Sequence, residues 1–505
     1  MKSHLLIWMM LFSYAASAQA PLGIFTNASD VGNPKLKGSS SYNKMDQSYQ
    51  LKGAGYNIWF ARDEFHYAYR KISGDFILTA DFELVGKGTD PHRKTGWMIR
   101  PSTDEADMHV TGTVHGDGLT VMQWRTAKGQ EMRDPEDEIF APKKKYSTIR
   151  MERAGKVISM LAAHPGEPLQ LIGTYTPENL PDEVLVGIFV GSHNAEVLEE
   201  ARVWNVRIDK PVSDNYNPYR QGFIGSRLEI LSLVDGKRKV IHEHTGRFEA
   251  PNWMPDGKKL LYNQDGFLWT IPIEGGTPEK FNTDFANRNN NDHGISFDGK
   301  MLAISHHRDG LPGGGSTVYV MPLKGGPLKQ ITEKTPSYWH GWSADGKEVY
   351  YVAQREGSPS YDIYKASVAG GPEAKLTNNV NSHADGPEAS PDGKYIYYNA
   401  NPTGTMQIWR MKPDGTGQEQ LTFDEYNNWF PHISPDGKWM VIISFPTTIN
   451  PNDHPSYKRV MLRLMPLTQP GAPRVIAHLY GGQGTINVPS WSPDSKYLAF
   501  VSNSE

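Results

Sequence analysis

One turn constrains this chain more than any other feature. "SPDGKY" at 390–395 recurs with small changes as "MPDGKK" (254–259), "SFDGKM" (296–301), "SADGKE" (343–348), "SPDGKW" (434–439) and "SPDSKY" (492–497). Its aspartates are Asp256, Asp298, Asp345, Asp392, Asp436 and Asp494, spaced 42, 47, 47, 44 and 58 residues apart. Asp-Gly supplies the positive-φ positions of a tight hairpin, and a proline just before it presets φ. Each copy runs into a short apolar strand such as "YIYYNA" (395–400) or "WMVIISF" (439–445). A second hairpin follows in most units, as in "VYVMPLKGGPLKQI" (318–331). Four strands in a unit of about 45 residues make one blade of a β-propeller.

The two ends of the array set the number of blades. The final stretch, "VPSWSPDSKYLAFVSNSE" (488–505), holds only the first two strands of a unit, and "SRLEILSLVDGKRKVI" (226–241) holds only the last two. Joined, they complete a sixth blade and clasp the ring by pairing the N- and C-terminal strands of the propeller, which leaves no open edge at the seam. The propeller is expected over residues 226–505, after a Pro- and Asn-rich linker at 211–225.

Residues 19–210 carry a different pattern. Alternating segments such as "DFILTADFELV" (75–85), "LTVMQWR" (119–125) and "EVLVGIFVGS" (183–192) predict antiparallel strands. They suffice for a two-sheet β-sandwich of jelly-roll type. With Gly 49 and Pro 36 and no long helical periodicity, the chain is expected to be all-β: sandwich, linker, six-bladed propeller.

The first twenty residues, "MKSHLLIWMMLFSYAASAQA", read as an export signal cleaved after Ala18, giving a signal peptide at 1–18. Its apolar run is too short to span a bilayer, and no later segment is longer, so no transmembrane segment is expected. The chain contains no cysteine, which excludes disulfides, thiol nucleophiles and a lipid-modified cysteine anchor. A large exported chain of this kind fits a periplasmic or secreted location, not a lipoprotein. A net charge of −4 and a pI near 6.5 give no basic footprint, so nucleic acid is not an expected partner.

At the level of family, "ISPDGKW" (433–439) with "IWRMKPDGTGQEQLT" (408–422) resembles the PD40/WD40-like repeats of TolB-like propellers, and the resemblance covers about 226–505. It implies a six-bladed fold and a periplasmic, transport-related setting. TolB proteins carry a smaller α/β domain ahead of the propeller, and this chain departs from them there. In the first half, "NIWFARDEFHYAYRKISGDFILTADF" (57–82), "GWMIRPS" (96–102), "IRMERAGKVISMLAA" (149–163) and "VGIFVGSHNAEVLEEARVWNVRI" (186–208) resemble concanavalin A-like, laminin G-like sandwich domains. That resemblance implies a carbohydrate-binding face, for which Trp59, His66, Trp97, Arg100 and Trp124 are candidates; core packing is the competing use of these residues.

Strand direction alternates within a blade, so the repeated "PDGK" and "GG" turns share one face of the propeller and irregular loops share the other. The repeated face reads as scaffold. Irregular loops on a rigid frame are where binding residues concentrate. All ten propeller histidines, including His242, His244 and His478, are assigned to this second face. Residues just ahead of each innermost strand are expected at the channel mouth: Asp292, His293, Trp339, His340, His383, Asp385, Glu388, Trp429 and His432, with Gln483 and Asn487 in the last blade. The neighbouring loops add His306, His307, Arg308 and His454.

Two functions are compatible with this set. In the first, the protein is a non-catalytic binding or scaffold module that presents the mouth to a glycan or an envelope protein. In the second, it is a metal-dependent carbohydrate-active enzyme, a lyase or hydrolase of oligosaccharides. That alternative follows from a resemblance of this propeller class to oligogalacturonate lyases. Its divalent metal (Mn, Zn or Ni) would sit on His293, His340, His383 and His432, since neutral imidazoles suit such ions. Tyr338, Trp339, Tyr426 and Trp429 would stack on sugar faces, and Arg308, Arg355 and Arg459 would pair with a uronate carboxylate. No catalytic residue is assignable from a motif, and no G-x-S-x-G elbow for a peptidase is present.

Overall fold

The structure, a computed structural model, describes residues 22–355, 357–379, 382–469 and 471–505. The predicted signal peptide lies outside them. Among the described residues no helix is long and apolar enough to cross a membrane.

Two seven-stranded antiparallel sheets form the first half. One runs Asn27–Val31, Phe65–Ile72, Val184–Gly191, Lys94–Arg100, His109–His115, Thr120–Arg125, Glu138–Phe140. The other runs Gln170–Tyr175, Val157–Ala163, Thr148–Ala154, Phe76–Leu84, Asn194–Asp209, Ser48–Gly55, Ser39–Asn43. The alternation of the strands puts one face of each sheet into a shared core, where Trp97, Ile99, Val110 and Met122 of the first meet Leu51, Phe76, Leu78 and Met151 of the second.

Six blades follow. Blade 1 is composite: Tyr497–Ser504 pairs with Gly225–Ser232, which pairs with Arg238–His244. The four-stranded blades 2 to 6 start with Glu249–Trp253, Asn289–Ile295, Ser337–Trp342, Ala384–Ala389 and Asn427–Ile433, each lining the channel. The expected inner strand of blade 1 is reduced to a single bridge between Trp491 and Leu498. The ring closes through an unbroken register from Gly225↔Ser504 to Ser232↔Tyr497.

The repeated turns are scaffold, as their sequence indicates. In five of them a serine hydroxyl donates to the turn aspartate at 2.6 to 2.8 Å: Ser296–Asp298, Ser343–Asp345, Ser390–Asp392, Ser434–Asp436 and Ser492–Asp494. These bonds lock the side chain that the hairpin needs. Ser495 holds a positive φ of 61° where the other copies place glycine.

The sandwich sits against blades 1 and 6. Gln47 pairs both ways with Val240, at 2.8 and 2.9 Å, as an added strand residue would. Val475 N donates to Gly166 O at 2.9 Å, and Arg459 pairs with Glu152 at 2.7 Å. The most buried contact joins Arg207 of the sandwich to Glu229 of blade 1. The linker contains one short helix, Pro218–Gln221, capped by Asn217.

Candidate functional site

The five intact inner strands share one irregularity. Each loses register with its neighbour near the mouth: between Glu249 and Asn252, Asn289 and His293, Trp339 and Gly341, Asp385 and Glu388, and Trp429 and His432. A bulge bends its strand and re-aims the adjacent side chain. In three blades the bulge is a positive-φ residue followed by proline, at Ala250-Pro251, Gly386-Pro387 and Phe430-Pro431 (φ of 56, 61 and 50°). The effect is systematic. The residue seven positions before each turn aspartate faces the channel: Glu249, Asn291, Tyr338, Asp385, Trp429 and Asn487. Together they line a cavity of about 680 Å³.

This cavity is acidic at its centre. His340 Nε2 lies 3.0 Å from Asp385 Oδ1, and its ring stacks on Phe430 at 5.8 Å. Burial works against the His340 imidazolium, but Asp385 and Asp292 outweigh it and raise its pKa. Burial likewise opposes ionisation of Asp385, and His340 reverses this to hold the carboxyl below its ordinary value. Asp292 differs. Burial, partly offset by His340 and reinforced by the Asp385 and Glu249 carboxylates, pushes it up to about 7. Glu249 is also raised by burial, with Arg247 beside it as a partial counterweight. The linker supplies one wall through Tyr219 and Phe223, and Arg247 lies over the Phe223 ring at 4.3 Å.

The sequence-derived set divides between cavity and frame. Asp292, His307, His340, His383, Asp385, Trp429 and His454 line the cavity, as do Gln483 and Asn487. His383 accepts from Tyr361 N at 3.1 Å, and His454 meets the edge of Trp429 at 4.4 Å. His293, Trp339, Glu388 and His432 are buried outside the cavity lining. Trp339 packs blade 4 against Gly294 of blade 3, where a Cβ would come within 2.0 Å of its ring. His432 Nδ1 pairs with Glu388 at 2.6 Å, and Trp491 donates to the His432 carbonyl at 2.9 Å, so this residue ties blades 5, 6 and 1 together. His306 lies against Phe285 and Tyr319, and Arg308 donates to Thr317 at 2.9 Å. Tyr426 lies under Arg463.

Of the ten histidines assigned to the irregular face, His307, His340, His383 and His454 line the cavity among the described residues. His478 lines a separate crevice between blade 6 and the sandwich, and His242 stacks on Phe248. Of the four histidines named for a metal, His340 and His383 line the cavity and His293 and His432 do not. Both nitrogens of His432 are engaged, by Glu388 and the Ile486 carbonyl, and His293 Nδ1 faces the Asn291 carbonyl. Among the described residues no group of three or more His, Cys, Asp or Glu side chains is arranged to hold a metal ion. The uronate arginines are committed elsewhere as well: Arg355 to Glu373 at 2.7 Å and Arg459 to Glu152.

Sequence reasoning missed Glu249, Asn291 and Phe430, and the two linker aromatics. Counting back seven residues from each turn aspartate finds the first two. The linker residues leave no periodic signal. In the sandwich, Trp97, Trp124, Arg100 and His66 are all buried. Trp97 and Trp124 belong to the core, His66 pairs with Asp30 at 2.7 Å, and Arg100 sits 3.4 Å from Asp63. Trp59 remains half-buried in a loop.

Comparison with known proteins places these features in context. The TolB beta propeller domain family, PD40, matches residues 341–452. An uncharacterized protein of Agrobacterium fabrum (strain C58) is 43% identical over 281 residues, which is 55% of this chain and 93% of that protein. A solved structure described as a putative TolB from Agrobacterium tumefaciens is 42% identical and covers 56% of this chain and 100% of its own, with a TM-score of 0.52. The Tol-Pal system protein TolB of Francisella tularensis subsp. tularensis (strain WY96-3418) is 26% identical over 239 residues, 45% of this chain and 53% of that protein. This chain therefore spans about half the length of that TolB.

Proposed function

Since the chain belongs to the TolB-like β-propeller family, we propose that it is an exported, periplasmic binding module that takes a glycan or a segment of an envelope protein in its channel-mouth cavity. The observation that carries this reading is the contrast between the two faces. Five turns on one face are near-copies held by the same serine–aspartate bond, whereas the six side chains aimed into the cavity are Glu, Asn, Tyr, Asp, Trp and Asn. A ring that needed only to fold would have no use for that variety at equivalent positions.

The test is a face-specific loss of binding. Purified protein is measured against a panel of envelope glycans and against its co-purifying envelope proteins, beside Trp429→Ala at the mouth and Lys347→Ala on the turn face. Binding lost only in Trp429→Ala supports the reading; binding lost only in Lys347→Ala overturns it. Fractionation of cells carrying the full chain checks the periplasmic location.

A second reading, carbohydrate chemistry in the same cavity, draws support from Asp292. A buried carboxyl that titrates at about 7, beside an imidazole, suits proton transfer. Its uronate-lyase form loses support, because Arg308, Arg355 and Arg459 are all engaged away from the cavity.

A further inference from the structure

We propose that the mouth cavity selects an amino sugar, a hexosamine carrying a free and therefore protonated amine. This names the ligand class for the binding reading above and rests on it.

The fixed charges point to a cation. Three buried or half-buried carboxylates, Glu249, Asp292 and Asp385, converge on the cavity. Glu249 has Arg247 and Asp385 has His340, whereas among the described residues the Asp292 carboxylate hydrogen-bonds only the neutral amide of Asn290, at 2.9 Å, and shares the His340 charge with Asp385. Among the described residues no lysine lines the cavity, and its one arginine is the Arg247 already committed to Glu249. Asp265 at the rim adds a further negative charge. With Asp292 ionised, the inner set is one positive charge short. A single ammonium completes it, whereas a uronate adds a further negative charge to Glu249, Asp292 and Asp385. The raised pKa of Asp292 agrees with this, since a buried carboxylate without a cation of its own holds its proton.

The orphaned polar atoms point to hydroxyl groups. Asn289 Oδ1, Asn291 Nδ2, Trp429 Nε1 and His454 Nδ1 are buried atoms of residues that line the cavity and have no hydrogen-bond partner among the described residues. Asn289, Asn291 and Trp429 are 6, 5 and 2% exposed. Leaving such atoms unpaired is unfavourable, so a ligand toward which these side chains turn, and which supplies donors and acceptors around its ring, gains what the fold has left open. The Tyr338 and Phe430 rings give apolar faces for the C–H side of a pyranose. A simple aliphatic amine would use the carboxylate and leave the orphaned atoms unmet.

Titration calorimetry at pH 7 tests this on the full chain with three probes: the β-1,4-linked glucosamine disaccharide, its N,N′-diacetylated form and digalacturonate. The glucosamine disaccharide is expected to bind about tenfold or more tightly than the acetylated one, with digalacturonate weakest. Because the ammonium favours ionised Asp292, which is about half protonated at this pH, binding releases up to about half a proton, which repeat titrations in buffers of different ionisation enthalpy count. Asp292→Asn removes both the preference and the proton release, and its thermal melt verifies folding. Equal binding of the two glucosamine probes, a preference for digalacturonate, or an unchanged preference in Asp292→Asn overturns the proposal. If none of the three binds but Trp429→Ala abolishes capture of an envelope protein, the ligand class falls and the mouth reading stands. If mouth substitutions change no measured interaction, the mouth reading itself falls.

Discussion

Glu229 of blade 1 receives Arg207 of the sandwich at 2.5 Å, in a contact with the carboxylate fully buried. The same carboxylate takes Arg238 at 2.8 Å and the Ser502 hydroxyl at 2.5 Å, so one side chain joins the sandwich, the outer strand and the closing strand of the seam. Removing one partner of a buried ion pair leaves the others uncompensated and costs ~3–5 kcal/mol. Glu229→Gln is expected to lower stability by about that amount in chemical denaturation. An unchanged denaturation midpoint would show that the contact contributes nothing.

The same carboxylate sets an acid limit. Burial alone would raise the Glu229 pKa, but Arg207 and Arg238 reverse this and hold it far below the glutamate value of 4.5. The unfolded chain therefore takes up the proton first as pH falls. The stabilisation is complete above about pH 5 and is withdrawn progressively below it. Melting temperatures across pH 2 to 6 check this, with a steeper acid loss in the wild type than in Glu229→Gln.

Asp292 and His340 predict the opposite slope in a higher window. Both have folded-state pKa values raised above their ordinary ones, so the folded protein holds protons that the unfolded chain has released. For Asp292 that window runs from its ordinary 3.8 to about 7. Stability is expected to fall as pH rises through it, at no more than ~1.4 kcal/mol per pH unit from this group. Asp292→Asn flattens the decline and is more stable than the wild type at pH 8. An equally steep decline in Asp292→Asn would contradict the assignment.

His432 and Trp429 are three residues apart and predict different phenotypes. His432→Ala leaves Glu388 buried without its partner and is expected to cost ~2–4 kcal/mol of stability. It should leave ligand affinity per folded molecule unchanged. Trp429→Ala, at the cavity, should weaken binding. Paired melting and binding measurements separate the two, and the reverse pattern would exchange their roles.

Two glycines give a contrast in packing. Gly437 has a positive φ of 71° with open space where a Cβ would go, so Gly437→Ala is expected to cost only about 1 kcal/mol of backbone strain. Gly294 lacks a positive φ, but its Cβ would fall 2.0 Å from the Trp339 ring, between blades 3 and 4. Gly294→Ala should cost about 3 kcal/mol or more, since neither a strand nor an indole held on all sides can give way. Urea denaturation of the two variants checks the order.

The ring was legible because each blade repeats a turn whose aspartate is constant and whose glycine and serine each recur in five of the six copies. Six such turns and two half-units at the ends suffice to count the blades. The site was half legible for a specific reason. A regular strand would carry an alternating set of residues into the channel, but each inner strand bulges near its mouth end. Beyond the bulge the pattern shifts, so Glu388 and His432 turn into the blade interfaces while Asp385 and Trp429, three residues earlier, face the cavity. Composition cannot report that shift, since His, Glu and Trp suit either place. The linker wall was illegible because Tyr219 and Phe223 belong to no repeat.

The clasp has a consequence for the order of assembly. Ser502 and Glu229 meet across 273 residues of chain, so their bond closes one of the longest loops in the ring and forms against a large loss of chain freedom. As the chain emerges from its N-terminus, strand Gly225–Ser232 appears long before the strand that will cover it. During that interval the sandwich, complete by then, already offers Arg207 and Gln47 to blade 1. A sandwich that folds first would hold half a blade in register through these contacts until its partner arrives.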